Sequence, residues 1–427
     1  MRHPMYYIAP LILVSLFWLS ARPFPVNSSE TNAAFAQLAD TVQHGKDTQE
    51  QLSALEDFPA DYLTKCNRFF KTVYEDRLRN RIELGRVDRM QLASSSAPQG
   101  TIWYLSQLTP EQRARAYSDN IKAYLGSDMT PQELIAFGER ESAKALAELT
   151  NLEADITQKN LGASISDFVT QHSNVYTSEA DIIAAADARR VLIAENFGKL
   201  FLDYEIPKAH IEAGLTSEFG TAIGRYDPTK TAFIFYWDGK TFDGKNLDFL
   251  IVHELSPGHH LQMNVAKSFA LCKRGGKPIT SYEVSFTEGW AAYVETLGKD
   301  LGLFADPEQE LGRIDWNLIR SIRVVLDVRI NHDGWSNEQV SAYWNAHMPD
   351  RLDNLLARET LRMREMPLQA ISYKLGAKAI LDLKAEEQAR LGDAFDIREF
   401  HDIILRMGGV PPRVLAQAYG ALAGEAP

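Results

Sequence analysis

Leu250-Ile251-Val252-His253-Glu254-Leu255-Ser256-Pro257-Gly258-His259-His260-Leu261-Gln262 is the stretch from which the rest of the chain can be read. An apolar run delivers His253 and Glu254 together, and His253, His259 and His260 fall close together in a chain that holds only 10 histidines. In an H-E-x-x-H helix two histidines one turn apart bind Zn2+, and the intervening Glu accepts a proton from the attacking water. Here the position one turn after His253 is Pro257. Proline cannot donate its backbone hydrogen bond and Gly258 relaxes the chain, so the turn must be distorted or expanded. An expanded turn brings His259 beside His253. His260 follows directly and points elsewhere, towards substrate or a supporting role. The spacing alone leaves both open as ligands, and His259 is the one expected.

A zinc site of this type takes a third protein ligand and keeps one position open. Ser285-Phe286-Thr287-Glu288-Gly289-Trp290-Ala291-Ala292-Tyr293-Val294-Glu295 offers Glu288 near the start of a helix, with Gly289 allowing another backbone to come close. A lone Glu on a helix is ordinarily a solvated residue. Beside the histidine motif, Glu288 reads as the third ligand.

Outward from these motifs the pattern is mainly helical. Thr130 and Pro131 start one helix as N-cap and first residue, and a long helix is expected at about Glu179 to Phe201. One segment differs: Thr231 to Trp237 is β-branched and aromatic and ends in Asp238-Gly239, the signature of a strand. It either lines the cleft and pairs with an extended peptide or forms an internal hairpin. Loops are expected at Ser94 to Ser96, Gln99-Gly100, Gly275-Gly276, Asp306-Pro307 and Gly408-Gly409. The expected organisation is a single helical domain over 27–427, with an amino-terminal lobe to about 160 and a catalytic lobe over 161–427.

At the amino terminus Arg2 and His3 precede an apolar run from Met5 to Leu19, which reads as a signal peptide over about 1–26. Export to the periplasm or cell envelope follows, with no stable membrane span after its removal. No cysteine follows the run, so no lipobox is present. The composition, 45% hydrophobic and 24% charged, is that of a folded soluble body. A formal charge of −12 repels polyphosphate, which argues against a nucleic-acid partner. Cys66 and Cys272 show no C-x-x-C spacing; a long-range disulfide or two buried thiols are the alternatives, and the thiols are expected.

The chain resembles the bacterial family called domain of unknown function 885. His253 to Gln262 is similar to its H-E-x-x-P-G-H-H-x-Q, and Glu288 to Tyr293 to its E-G-W-A-x-Y. Arg323 and Asp327, Gly334-Trp335, Gln369-Ala370, Ser372 to Gly376, Phe400-His401-Asp402 and Gly409-Val410-Pro411 follow in the family's order. The resemblance implies a mainly α, two-lobed fold like that of helical zinc metallopeptidases, with a small β element beside the cleft. There are departures. Asn331 stands where the family commonly has His, with His332 one place later. The family's Arg-Tyr and Pro-Gly-Gln read here as Arg362-Met363 and Pro367-Leu368-Gln369.

The reading is a zinc hydrolase of peptides or other small amides, with His253, His259 and Glu288 on the metal and Glu254 as general base. Tyr373 and His332 are the candidate donors to the oxyanion, and His260 and Arg362 are expected on the substrate side. The rivals are a zinc hydrolase of non-peptide amides or esters, and a catalytically weakened envelope binding protein.

Overall fold

The computed structural model describes residues 28–44, 49–84, 107–214, 223–278 and 283–423. The expected signal peptide and the loops at Ser94 to Ser96 and Gln99-Gly100 lie outside the described residues. The chain forms two compact units, Met1–Gly85 and Arg86–Pro427. Residues on both sides of the lobe boundary expected near 160 belong to the second.

The first unit contains α1 (Ser28–His44), α2 (Gln49–Glu56) and α3 (Lys65–Leu84). Phe35 meets Phe58 edge-on at 5.3 Å between ring centroids. Phe69, Phe70, Tyr74 and Leu78 bury the inner face of α3, the helical stripe that an amphipathic sequence provides.

The second unit carries the motifs. It begins with α4 (Pro110–Leu125), α5 (Pro131–Gln158), α6 (Ile165–His172) and α7 (Glu179–Asn196). Helix α5 starts as its sequence predicts: Thr130 caps it, Pro131 is its first residue and Glu133 completes a capping box. Helix α7 stops at Asn196 and gives way to a 3-10 turn, slightly short of the expected end at Phe201. Then come α8 (Leu247–Glu254), α9 (His259–Ser268), α10 (Val284–Glu295), α11 (Pro307–Asn331), α12 (Asn337–His347), α13 (Leu356–Glu365), α14 (Ser372–Leu391), α15 (Ile397–Met407) and α16 (Leu415–Ala423). The mainly α class holds.

The strands are β1 (Val175–Tyr176), β2 (His210–Gly214), β3 (Gly224–Asp227), β4 (Ala232–Tyr236), β5 (Phe242–Asp243), β6 (Lys273–Arg274) and β7 (Lys277–Pro278). The predicted strand is β4. It is the centre of a three-stranded sheet, parallel to β2 and antiparallel to β3. Both of its edges are therefore taken, and β3 is an edge strand instead.

Two features fix the helices that hold the motifs. Every residue of α8 is buried, Asp248 included, and the apolar run from Phe249 to Val252 carries His253 and Glu254 into the interior. Helix α10 lies directly on α14 through two glycines: a Cβ on Gly289 would stand 2.4 Å from Gly376 Cα. That contact is the close backbone approach expected at Gly289. In α10 every residue but Glu288 is classed as buried, so Glu288 alone faces partly open space. Neither Cys66 nor Cys272 is a free thiol, which corrects the expectation of two unpaired cysteines.

Candidate metal centre

Helix α8 ends at Glu254, and the chain turns through Leu255 to Gly258 before α9 begins at His259. The Ser256–Pro257 bond in this turn is cis. Pro257 lies between the two helices that share the motif, the break that its missing N–H requires. A Cβ on Gly258 would fall 1.8 Å from the His253 carbonyl oxygen, so only glycine lets the chain fold back this tightly. The Trp290 indole N–H, from α10, donates to the Pro257 carbonyl at 2.8 Å and anchors the turn.

The turn brings the His253 and His259 rings to 4.8 Å between centroids, nearly perpendicular. The Nε2 atoms of His253 and His259 lie 3.8 and 3.5 Å from Glu288 Oε2. One ligand atom from each of the three residues falls within 4.8 Å of the others. Bonds of about 2.0–2.1 Å in a tetrahedron would set such atoms about 3.3 Å apart. Two imidazoles and a carboxylate in nearly that arrangement are a donor set that fits Zn2+. His260 is outside it. Its Nδ1 lies 3.0 Å from the Tyr226 hydroxyl, and its ring lines a cavity of about 300 Å³ with Arg190, Tyr204, Pro207 and Ser256.

Electrostatics also favour a cation here. Burial opposes charging of His253, but hydrogen bonds to Glu288 and Glu295 outweigh it and lift its pKa to about 9. Burial would raise the Glu288 carboxyl, yet the two imidazoles hold it well below the usual carboxylate range.

Supporting contacts come from residues that the sequence did not single out. His253 Nδ1 lies 2.6 Å from Glu295 Oε1, and Glu295 Oε2 accepts from Arg320 Nη1 at 2.5 Å. A carboxylate on the distal imidazole nitrogen fixes a metal-binding histidine's tautomer and orientation. Glu295 follows Glu288 by two helical turns on α10, a same-face spacing that could have flagged it. Glu254 Oε2 accepts the Tyr226 backbone N–H at 2.7 Å, while Oε1 has no hydrogen bond among the described residues.

Of the other expected residues, Tyr373 is beside the cluster and His332 is not. The Tyr373 ring stacks on His253 with centroids 6.1 Å apart, and its hydroxyl meets Arg362 Nη2 and Gln369 Nε2, each at 3.4 Å. Burial, followed by the Glu288 charge, raises the Tyr373 pKa, so the phenol stays protonated and can donate. Tyr124, on α4, also feels the Glu288 charge and was missed. His332 Nδ1 is 2.6 Å from Asp333 Oδ1 and its ring meets Tyr117; none of its contacts among the described residues reaches the cluster.

The three departures from the expected pattern meet around one buried carboxylate. Asp327 accepts from Tyr117 Oη at 2.7 Å, from the Leu368 N–H at 3.0 Å and from Asn331 Nδ2 at 3.3 Å. Asn331 Nδ2 also donates to the Met363 carbonyl at 2.9 Å. This knot ties α11 to the end of α13, which carries Arg362, and to the turn with Gln369 that leads into α14 and Tyr373.

The profile of a bacterial protein family of unknown function, DUF885, matches residues 22–418. Among curated proteins none matches the sequence. Among solved structures, the chain is similar to the "putative lipoprotein" from Colwellia psychrerythraea, with a TM-score of 0.63 at 20% identity over 95% of this chain and 71% of that one. It is also similar to a "putative lipoprotein of unknown function" from Shewanella oneidensis, with a TM-score of 0.55 at 17% identity over 95% and 81%. A metallocarboxypeptidase of Trypanosoma cruzi aligns with a TM-score of 0.45 at 14% identity over 96% and 92%. At these identities the first two likenesses speak to the fold. The profile match spans nearly the whole chain, and the protein belongs to the DUF885 family of bacterial proteins.

Proposed function

We propose that the protein is a zinc-dependent hydrolase of short peptides, with His253, His259 and Glu288 as metal ligands and Glu254 as general base. The observation that carries this reading is the convergence of two imidazole nitrogens and one carboxylate oxygen within 4.8 Å, with Glu254 directly following the first histidine. Zinc held there supplies a Lewis acid that polarises a carbonyl and makes water more acidic. Glu254 takes the water's proton on Oε1, while the Tyr226 N–H holds Oε2 and fixes the carboxylate. The Tyr373 hydroxyl, kept protonated, donates to the oxygen on which negative charge develops. Glu295 and Arg320 keep His253 oriented.

Strand β3 favours a peptide over an ester. Its inner edge pairs with β4, and the Tyr226 N–H on its outer edge reaches Glu254. An extended peptide bound alongside that edge would pass the base, with the Tyr226 N–H itself kept for Glu254. Among the described residues no helix is long and apolar enough to cross a membrane, and the relatives named as lipoproteins support an exported, envelope location. The test is to load purified protein with zinc and assay peptide mixtures, acyl amino acids and esters in parallel. Peptide turnover that a chelator removes and zinc restores is expected. Turnover of esters alone would replace the peptide reading. One bound zinc with no turnover of any class would favour a binding protein.

A further inference from the structure

Arg362 is half-buried in the wall of the candidate site, and it has no carboxylate within ion-pair distance among the described residues. Its hydrogen bonds there both leave from Nη2, to Gln369 Oε1 at 2.8 Å and to the Tyr373 hydroxyl at 3.4 Å. The acidic side chains around it are engaged elsewhere. Glu359, one turn earlier on α13, is gripped by Arg323, with Nε–Oε2 and Nη2–Oε1 both at 2.5 Å. Glu288 turns towards the two histidines. Burial disfavours the charged guanidinium, but Tyr373, Glu359 and Glu288 act against that and keep it charged.

Buried cationic side chains are ordinarily paired, and a planar guanidinium matches a carboxylate in a two-point contact. Here the remaining N–H groups of Arg362 sit next to Tyr373, whose ring lies against His253. An anion bound to them would share the Tyr373 ring as a neighbour with His253, the guanidinium lying 6.0 Å and the imidazole 6.1 Å from its centroid. Gln369 and Tyr373 hold the guanidinium plane, so little ordering is left for the ligand to impose.

We propose that Arg362 binds the free carboxylate of the substrate, so that the site selects peptides by their carboxyl terminus and releases residues from that end. This inference rests on the hydrolase reading for its chemistry, but its binding step can be tested without turnover. The probe is a randomised tetrapeptide mixture made in two forms, one ending in a carboxylate and one in a carboxamide. Wild-type protein with zinc is expected to cleave the acid form at least about 10²-fold more efficiently in kcat/KM, the scale of one charged hydrogen-bonded contact. In parallel, calorimetry on zinc-loaded Glu254→Gln is expected to give tighter binding of the acid form. Arg362→Met should collapse both differences, and Arg362→Lys should restore only part of them, because an ammonium cannot make the two-point contact. Equal binding of the two forms, or a preference for the acid that persists in Arg362→Met, would overturn the proposal. Preferential binding of the acid form without any turnover would sustain the carboxylate contact at Arg362 while removing the hydrolase reading and, with it, release from that end.

Discussion

His253 Nδ1 and Glu295 Oε1 lie 2.6 Å apart in the interior, and the same Glu295 carboxylate is held from its other side by Arg320. The pair leaves the Nε2 atom of His253 facing Glu288 and His259. Glu295→Gln keeps the side-chain volume but weakens the acceptor, so zinc affinity is expected to fall about 10- to 100-fold. Competition with a chelator of known affinity measures this. An unchanged affinity would show that the contact does not serve the metal.

His259 and His260 are neighbours in sequence with opposite surroundings. His259 faces Glu288 at 3.5 Å, whereas His260 faces Tyr226 and Asn264. His259→Ala is therefore expected to lose stoichiometric zinc, and His260→Ala to retain it, when metal content is measured on purified protein. The reverse pattern would exchange their roles.

Backbone contact between α10 and α14 sets where Glu288 stands. A methyl group on Gly289 would press on Gly376 backbone atoms, so Gly289→Ala is expected to destabilise the fold by about 1–3 kcal/mol, the usual cost of overpacking. Chemical denaturation measures the loss. A stability within error of wild type would mean that the helices can separate freely.

These contacts show what a sequence exposes and what it conceals. Histidines and a glutamate at motif spacing, a proline that must break a helix and a glycine that admits a backbone are local signals, and each could be read directly. Glu295 shares the face of Glu288 by its spacing, but its contact with the His253 nitrogen is legible only once α10 is known to face the histidines. The contacts of Tyr226 with Glu254 and of Asp327 with Tyr117 join residues 28 and 210 positions apart, so no local periodicity announces them. Strand β4 was legible as a strand, but its central place was not, because pairing partners are set by tertiary packing. His332 stands one position past Asn331: at the end of α11 it turns to Asp333, while Asn331 and Asp327 face inward.

Asp327 gives a pH prediction. Burial raises its pKa to about 7, against an ordinary value of 3.8, despite hydrogen bonds from Leu368, Tyr117 and Asn331. A folded-state pKa above the unfolded one means that the native protein holds the proton more tightly. The resulting stabilisation is complete below about pH 4 and is lost as pH rises through about 7. Asp327→Asn removes the titration and keeps an acceptor for the Leu368 N–H. Its stability relative to wild type should therefore rise between pH 4 and 7, measured by denaturation in parallel. A constant difference across that range would place the carboxyl's pKa elsewhere.

Glu254 is expected to remove a proton from water at the metal that His253, His259 and Glu288 would hold. The measurement is hydrolysis of a peptide mixture by zinc-loaded wild type and Glu254→Gln, with metal content and circular dichroism recorded on the same samples. The amide fills the space of the carboxylate and can still accept the Tyr226 N–H, but it cannot take the proton. Equal zinc, equal fold and turnover lowered by about 10²–10⁴-fold are expected. Turnover by the zinc-loaded variant within a few-fold of wild type would contradict the role of Glu254 as base.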